Sequence, residues 1–254
     1  MINLQKASFG KRIIAAIFDG ILLSIIAVGL IALLSGVFNT DTHLNTYQEA
    51  YNKYSTEYNI NLTANEYSEL TPEQKSDYDA KVVLAEEAFS KDEAAVYAYN
   101  MFINLSLIII TFSVLIGTVV IEFIVPLFFG NGQTLGKKIF GIALMHTDGI
   151  KVKNIQLFIR ALLGKFTIEL MIPIYITMMI IFNLIGIVSV AILAILLIAQ
   201  IICLIATRTN SLLHDVLAGT VAVDMASQRI FDSREALIEH TKKLHAQQAN
   251  KPTF

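Results

Sequence analysis

Residues Ile13 to Phe38 read IIAAIFDGILLSIIAVGLIALLSGVF, 26 positions with Asp19 as the only charge. About 20 apolar residues suffice to cross a bilayer, so this run is long enough to span one. A secretory leader has an apolar core of roughly 7–15 residues and a small-residue cleavage site, and the run is too long for that. Leu34-Ser35-Gly36-Val37 has the outline of a lipoprotein cleavage site, but Val37 stands where the lipidated cysteine would be. The segment is therefore expected to stay as an anchor.

A second run extends from Met101 to Phe129 and contains Glu122. A carboxylate in hydrocarbon costs about 2.5–3.5 kcal/mol on insertion scales, so one kept there faces a partner, a cavity or a pathway. Phe166 to Ala206 is a 41-residue stretch whose only charge is Glu169, enough for two helices with a turn at Asn183 and Gly186. The fold class expected is an all-α polytopic membrane protein with four transmembrane helices, a helical extracytoplasmic insertion and a small cytoplasmic β-hairpin. A hydrophobic content of 55% and a mean hydropathy of +0.60 exclude an ordinary soluble domain.

Lysine and arginine accumulate in cytoplasmic loops, and 15 of the 19 basic residues fall before the first run, between the second and third, or after the fourth. A cell-membrane protein with both termini cytoplasmic is the reading. The expected division is 1–38 for the N-terminus and first helix, 39–100 for an external loop, and 101–129 for the second helix. A basic cytoplasmic loop follows at 130–165, helices three and four at 166–206, a membrane-associated segment at 207–224, and a cytoplasmic tail at 225–254.

The 39–100 loop carries 12 acids against Lys53, Lys75, Lys81 and Lys91, and holds eight of the nine tyrosines. The stretch between Gly36 and Gly117 lacks glycine, which favours helix over disorder. Thr71-Pro72-Glu73-Gln74 reads as an N-cap, a proline at the first helical position and a capping-box glutamine. A helix from Pro72 is expected to run, with a break near Ser90, towards the second span. Tyr47, Tyr51, Tyr54 and Tyr58 share one helical face. They either pack two outer helices together or offer a partner or headgroup surface. The lone Cys203, in the fourth helix, is expected to be a small core residue. Asn61-Leu62-Thr63 is a glycosylation sequon only in a host that modifies its exterior.

Gly130-Asn131-Gly132-Gln133-Thr134-Leu135-Gly136-Lys137-Lys138 invites a nucleotide-binding reading and fails it. A P-loop needs four residues between its glycines and Ser or Thr after the lysine, whereas Gly132 and Gly136 enclose three and Lys138 follows. The glycines instead turn the chain out of the membrane, with Lys137 and Lys138 at a lipid headgroup surface. Ile142 to Thr147, the Asp148-Gly149 turn and Ile150 to Val152 then read as a hairpin.

Three stretches resemble the RDD family of membrane proteins: Arg12 with Asp19, the Gly132 to Gly141 segment, and Leu213-His214-Asp215 to Ala218-Gly219-Thr220. The likeness covers the membrane portion from Phe9 to Asp224 and leaves out the tyrosine-rich loop and the tail. It implies that the naming arginine and two aspartates are Arg12, Asp19 and Asp215. It also implies, for some members, alkali-cation/proton antiport; fold-level likeness alone fixes little mechanism.

Arg12 and Asp19 are seven residues and about 10 Å apart on one face, too far for a direct bond. Arg12 is expected to pair with Asp215. Asp19, Glu122, Asp215 and Glu169 at similar depth, with few cations near, would form a hard-oxygen cation site or a proton relay. The alternative is structural: an Arg12–Asp215 ion pair closing the bundle, Asp19 bonded to backbone of a broken helix, and Glu169 paired with Lys165 at i,i+4. His214 either senses pH or makes local bonds.

Hydrolase nucleophile sets, metal-binding HExxH pairs and dinucleotide fingerprints are absent from the sequence, so an enzyme is not expected and no cofactor is named. The metal question stays open at this stage. The basic residues follow the membrane's inner side and do not form a nucleic-acid surface. The leading function is a small ion-coupled transporter that exchanges a monovalent cation for a proton, with the lipid bilayer around it and a homo-oligomer to complete the path. The alternative is a non-transporting scaffold that recruits a partner through its external loop or tail.

Overall fold

The computed structural model describes residues 4–181 and 187–249. The turn expected at Asn183 and Gly186 lies outside the described residues. The chain divides into two compact units, one formed by Met1–Ala27 with Val114–Phe254 and the other by Val28–Ser113.

Helix α1 (Phe9–Val37) begins where Ser8 Oγ accepts the Lys11 amide hydrogen at 3.3 Å, a side-chain cap for an otherwise orphaned donor. Ile17, Ile21, Ile25 and Val28 are each more than half exposed. Such an apolar outer face suits lipid and not water. Helices α2 (Thr40–Glu57), α3 (Ala64–Glu69) and α4 (Pro72–Lys91) follow, and α5 (Glu93–Phe129) is the second helix long and apolar enough to cross a membrane.

In the Val28–Ser113 unit, local chemistry sets the boundaries. Thr71 and Gln74 form a reciprocal capping box around Pro72, and Thr63 with Glu66 forms another at α3. The break expected near Ser90 falls at Asp92, which leaves helical geometry and accepts the Ala95 amide at 3.1 Å to start α5. Tyr47 and Tyr54 meet the Phe89 ring edge-on, with centres 5.9 and 6.1 Å apart, so the tyrosine face packs α2 against α4.

In the other unit, α6 (Leu135–Ile139), β1 (Ile142–His146), a long helix α7 over residues 154–181, α8 (Ile187–Ala206), α9 (Leu213–Ala218), β2 (Thr220–Asp224) and α10 (Arg234–Ala249) complete the order. Two stretches have widened π-type turns: Val119–Ile124 within α5 and Ile159–Met171 within α7.

The expected hairpin is corrected. β1 pairs antiparallel with β2, from Ile142 opposite Asp224 to His146 opposite Thr220. Beyond the Asp148-Gly149 turn the return arm at Ile150–Val152 keeps to β1 through the Met145–Lys151 bridge and the His146 amide donating to the Ile150 carbonyl at 2.9 Å, and Ile150 also bridges Phe231. The reason is burial on both faces. One face packs Ile142, Leu144 and Ala222 with Ala15 and Leu157; the other packs Ala143, Met145, Val221 and Val223. A short strand covered on both sides needs an equally apolar partner, and TVAVD supplies it where Ile150-Lys151-Val152 does not. Residues 5–7 lie along the free edge of β2, with the Ala7 amide donating to the Ala222 carbonyl at 3.2 Å.

Candidate functional site

Asp19 is 3% exposed and points from α1 at the start of α6. Its Oδ1 accepts the Gly136 amide at 2.7 Å, and its Oδ2 accepts the Thr134 hydroxyl. Thr134 in turn caps α6, accepting the Lys137 amide at 3.3 Å. A β-carbon at Gly136 would collide with the Ala15 carbonyl oxygen and sit 3.0 Å from the Asp19 carboxylate, so only glycine lets α6 approach α1 this closely. The Gly-Gln-Thr-Leu-Gly stretch is thus a docking element for Asp19.

Arg160 is the hub. Its guanidinium, 3% exposed, sends Nε to Asp215 Oδ1 at 2.9 Å, Nη1 to Glu122 Oε2 at 3.1 Å and Nη2 to His214 Nε2 at 2.8 Å. Lys165 Nζ donates to Glu122 Oε1. In a π-type stretch the hydrogen bonds run from i to i+5, so residues about five apart lie near one face. That brings Arg160 and Lys165 to the same carboxylate, and Glu122 meets them from the π-type stretch of α5.

His214 receives from Arg160 on one ring nitrogen and donates from Nδ1 to Glu169 Oε1 at 2.7 Å. Since arginine can only donate and an ionised glutamate only accept, this is a neutral imidazole protonated at Nδ1. Burial lowers its pKa from the ordinary value, against the pull of Asp215. A β-carbon on Gly164 would lie 2.5 Å from His214 Cβ, so α9 rests directly on the α7 backbone there.

Arg12 Nη2 lies 3.5 Å from Asp215 Oδ2, while its Nη1 donates to the Asn210 carbonyl at 2.6 Å. Asp215 also accepts from Thr220 at 3.2 Å, and its closest cation is Arg160. The expected scarcity of cations is corrected. Asp19, Glu122 and Asp215 are matched by Arg12, Lys137, Arg160 and Lys165, while Glu169 faces His214 and Gln200. A buried carboxylate without a counter-charge would be far costlier than one in such a network.

Lys137 is also corrected. It is 8% exposed and lies inside the site, with Nζ 3.1 Å from Thr134 Oγ1, 3.6 Å from Glu122 and 3.8 Å from Asp19. Burial pushes its pKa down to about 8, against the attraction of Glu122. Lys138, next in sequence, is exposed and covers the Phe129 ring at 3.8 Å. The Glu169–Lys165 pair expected at i,i+4 is likewise replaced: Glu169 takes His214 and Gln200, both at 2.7 Å, and Lys165 takes Glu122.

Two small cavities flank the network. One of about 150 Å³ is lined by Asp19, Glu122 and Glu169, with Lys165 as its only cation. The other, about 60 Å³, is lined by Arg12, Lys137, Arg160 and Lys165, with Asp215 as its only carboxylate. Lys165 borders both. Among the described residues, three or more histidine, cysteine or acidic side chains nowhere gather as a metal would require.

Arg160 and Lys165 were legible only as basic residues, because a widened turn leaves no mark in the sequence. Thr134 was within reach: a threonine just before a short helix is a preferred N-cap.

The model of the RDD family matches residues 6–219, and the chain belongs to that family. Neither a curated protein nor a solved structure matches it. Family membership and two long apolar helices make it a membrane protein.

Proposed function

We propose that this RDD-family membrane protein exchanges protons for a monovalent cation through the cavity lined by Asp19, Glu122 and Glu169. The carrying observation is that cavity: three carboxylates around about 150 Å³ with Lys165 as the sole positive lining residue. The three carboxylates line the cavity without gathering closely enough to chelate an ion together in this state; hard oxygen donors still suit the passage of sodium, potassium or lithium, with Lys165 as the resident cation. An entering cation displaces the Lys165 ammonium from Glu122, and Asp19 gives up or takes the exchanged proton. Widened turns at functional positions are a recurrent device, and here they carry Glu122, Lys165 and Glu169.

The exchange reading places four helices across the bilayer, α1, α5, α7 and α8, with both termini cytoplasmic and residues 39–100 outside. The bias of 15 among 19 basic residues supports that orientation. So few spans enclose little path within one subunit, which calls for a homo-oligomer. Lys138 is the remaining headgroup contact.

Proteoliposomes containing only this protein test the reading. An inward gradient of sodium, potassium or lithium is expected to alkalinise the lumen. A lumen that stays at the pH of empty vesicles with all three cations overturns exchange. The scaffold reading would then stand, supported by the open aromatic groove of the 39–100 loop.

A further inference from the structure

The Val28–Ser113 unit holds a groove of about 390 Å³ whose walls are mostly rings: Tyr47, Tyr51, Tyr54, Tyr78, Phe89 and Tyr99. Glu86 also lines it, and lysine and arginine are absent from its lining. The neighbouring acids are occupied: Glu87 pairs with Lys91 at 2.7 Å, Asp77 with Lys81 at 2.5 Å, and Asp92 accepts from Tyr54 at 3.0 Å. Among the described residues the Glu86 side chain makes neither an ion pair nor a hydrogen bond. The rings hold one another in fixed, tilted contacts, Tyr47 with Tyr51 at 6.2 Å and with Tyr99 at 5.4 Å between centres. The Tyr54 ring already has the Lys53 ammonium 4.8 Å from its centre.

We propose that this groove binds a quaternary ammonium group, either on a small soluble cation or on a choline lipid headgroup. Electron-rich ring faces attract a diffuse, weakly hydrated cation, and several faces around one volume are the arrangement that recognises methylated ammonium ions. The free carboxylate of Glu86 supplies the counter-charge, and the net negative 39–100 loop favours approach of cations over anions. Sodium or potassium would lose more hydration than ring faces return. An apolar neutral ligand would leave Glu86 unused.

The chain has no tryptophan and eight of its nine tyrosines lie between residues 39 and 100, so tyrosine emission reports on this unit. The full-length protein in a maltoside detergent is titrated with tetramethylammonium, with choline and with dimethylbutanol, the uncharged carbon analogue of choline. Both cations should change the emission saturably and dimethylbutanol should not. Glu86→Gln should weaken choline binding about threefold, as for a part-exposed charge pair. Tyr51→Leu, at a ring already 51% exposed, should weaken it about tenfold. Nanodiscs of phosphatidylcholine and of phosphatidylglycerol separate the two sources: competition from the choline lipid identifies the headgroup, and equal choline affinity in both identifies the soluble cation. An equal response to dimethylbutanol, a response that never saturates, or unchanged affinity in both variants overturns the proposal.

Discussion

The two units solve the problem of charge in opposite ways. In the Val28–Ser113 unit, ion pairs are exposed and lie four residues apart, Asp77 with Lys81 and Glu87 with Lys91. The other unit has exposed pairs too, such as Lys243 with Glu239, but its central network is buried and joins partners distant in sequence: 38 residues between Glu122 and Arg160, 55 between Arg160 and Asp215, and 117 between Asp19 and Gly136. Exposed pairs in water contribute little and can be lost singly. Buried charges stand or fall as a set, because removing one strands the others in a medium that cannot hydrate them.

The largest expected effect follows from the hub. Arg160→Leu leaves Asp215 and Glu122 short of their main partner and should destabilise the protein by about 3–5 kcal/mol. Thermal unfolding in detergent reads it, and an unchanged midpoint would mean that the network is not cooperative. Next comes Gly164→Ala, whose added methyl meets the His214 backbone and Cβ within 2.7 Å. Overpacking of that kind costs about 1–3 kcal/mol; a neutral substitution would show that α9 moves freely on α7.

A smaller effect is written in pH. The folded site holds His214 neutral, with its pKa lowered by burial, whereas the unfolded chain binds a proton there as the pH falls below about 6.5. Below that point the unfolded state carries more protons, so stability must decline as the pH drops further. Unfolding midpoints should fall more steeply between about pH 7 and about pH 5 for the native protein than for His214→Gln. Equal slopes would contradict the neutral histidine. Smallest of all, Lys91→Ala on α4 should leave the midpoint within experimental scatter, and a clear loss would erase the contrast between the units.

The same contrast explains what the sequence disclosed. Capping boxes and a 4-3-4 tyrosine spacing depend on neighbours within a turn or two, so Thr71, Gln74 and the face of Tyr47 and Tyr54 were readable. The intramembrane carboxylates stood out because charge in an apolar run is costly. Their partners did not: Arg160 and Lys165 looked like ordinary loop basics, and only widened turns in α7 and α5 bring them to Glu122. Lys137 resembled a headgroup anchor for the same reason, since Lys138 beside it has the same chemistry and the opposite exposure. β2 escaped notice because it lies 74 to 82 residues from its partners in β1, while an Asp-Gly turn offered a local partner.

Asp19→Asn bears most directly on exchange through the acidic cavity. Asparagine can still accept the Gly136 amide with its carbonyl oxygen and donate to the Thr134 hydroxyl, so α6 stays docked while the carboxylate is gone. Sodium-driven lumenal alkalinisation should fall to the level of empty vesicles in this variant, which still unfolds cooperatively, at a midpoint lowered by the loss of one buried charge beside Lys137. Alkalinisation at the native rate from Asp19→Asn would contradict the account.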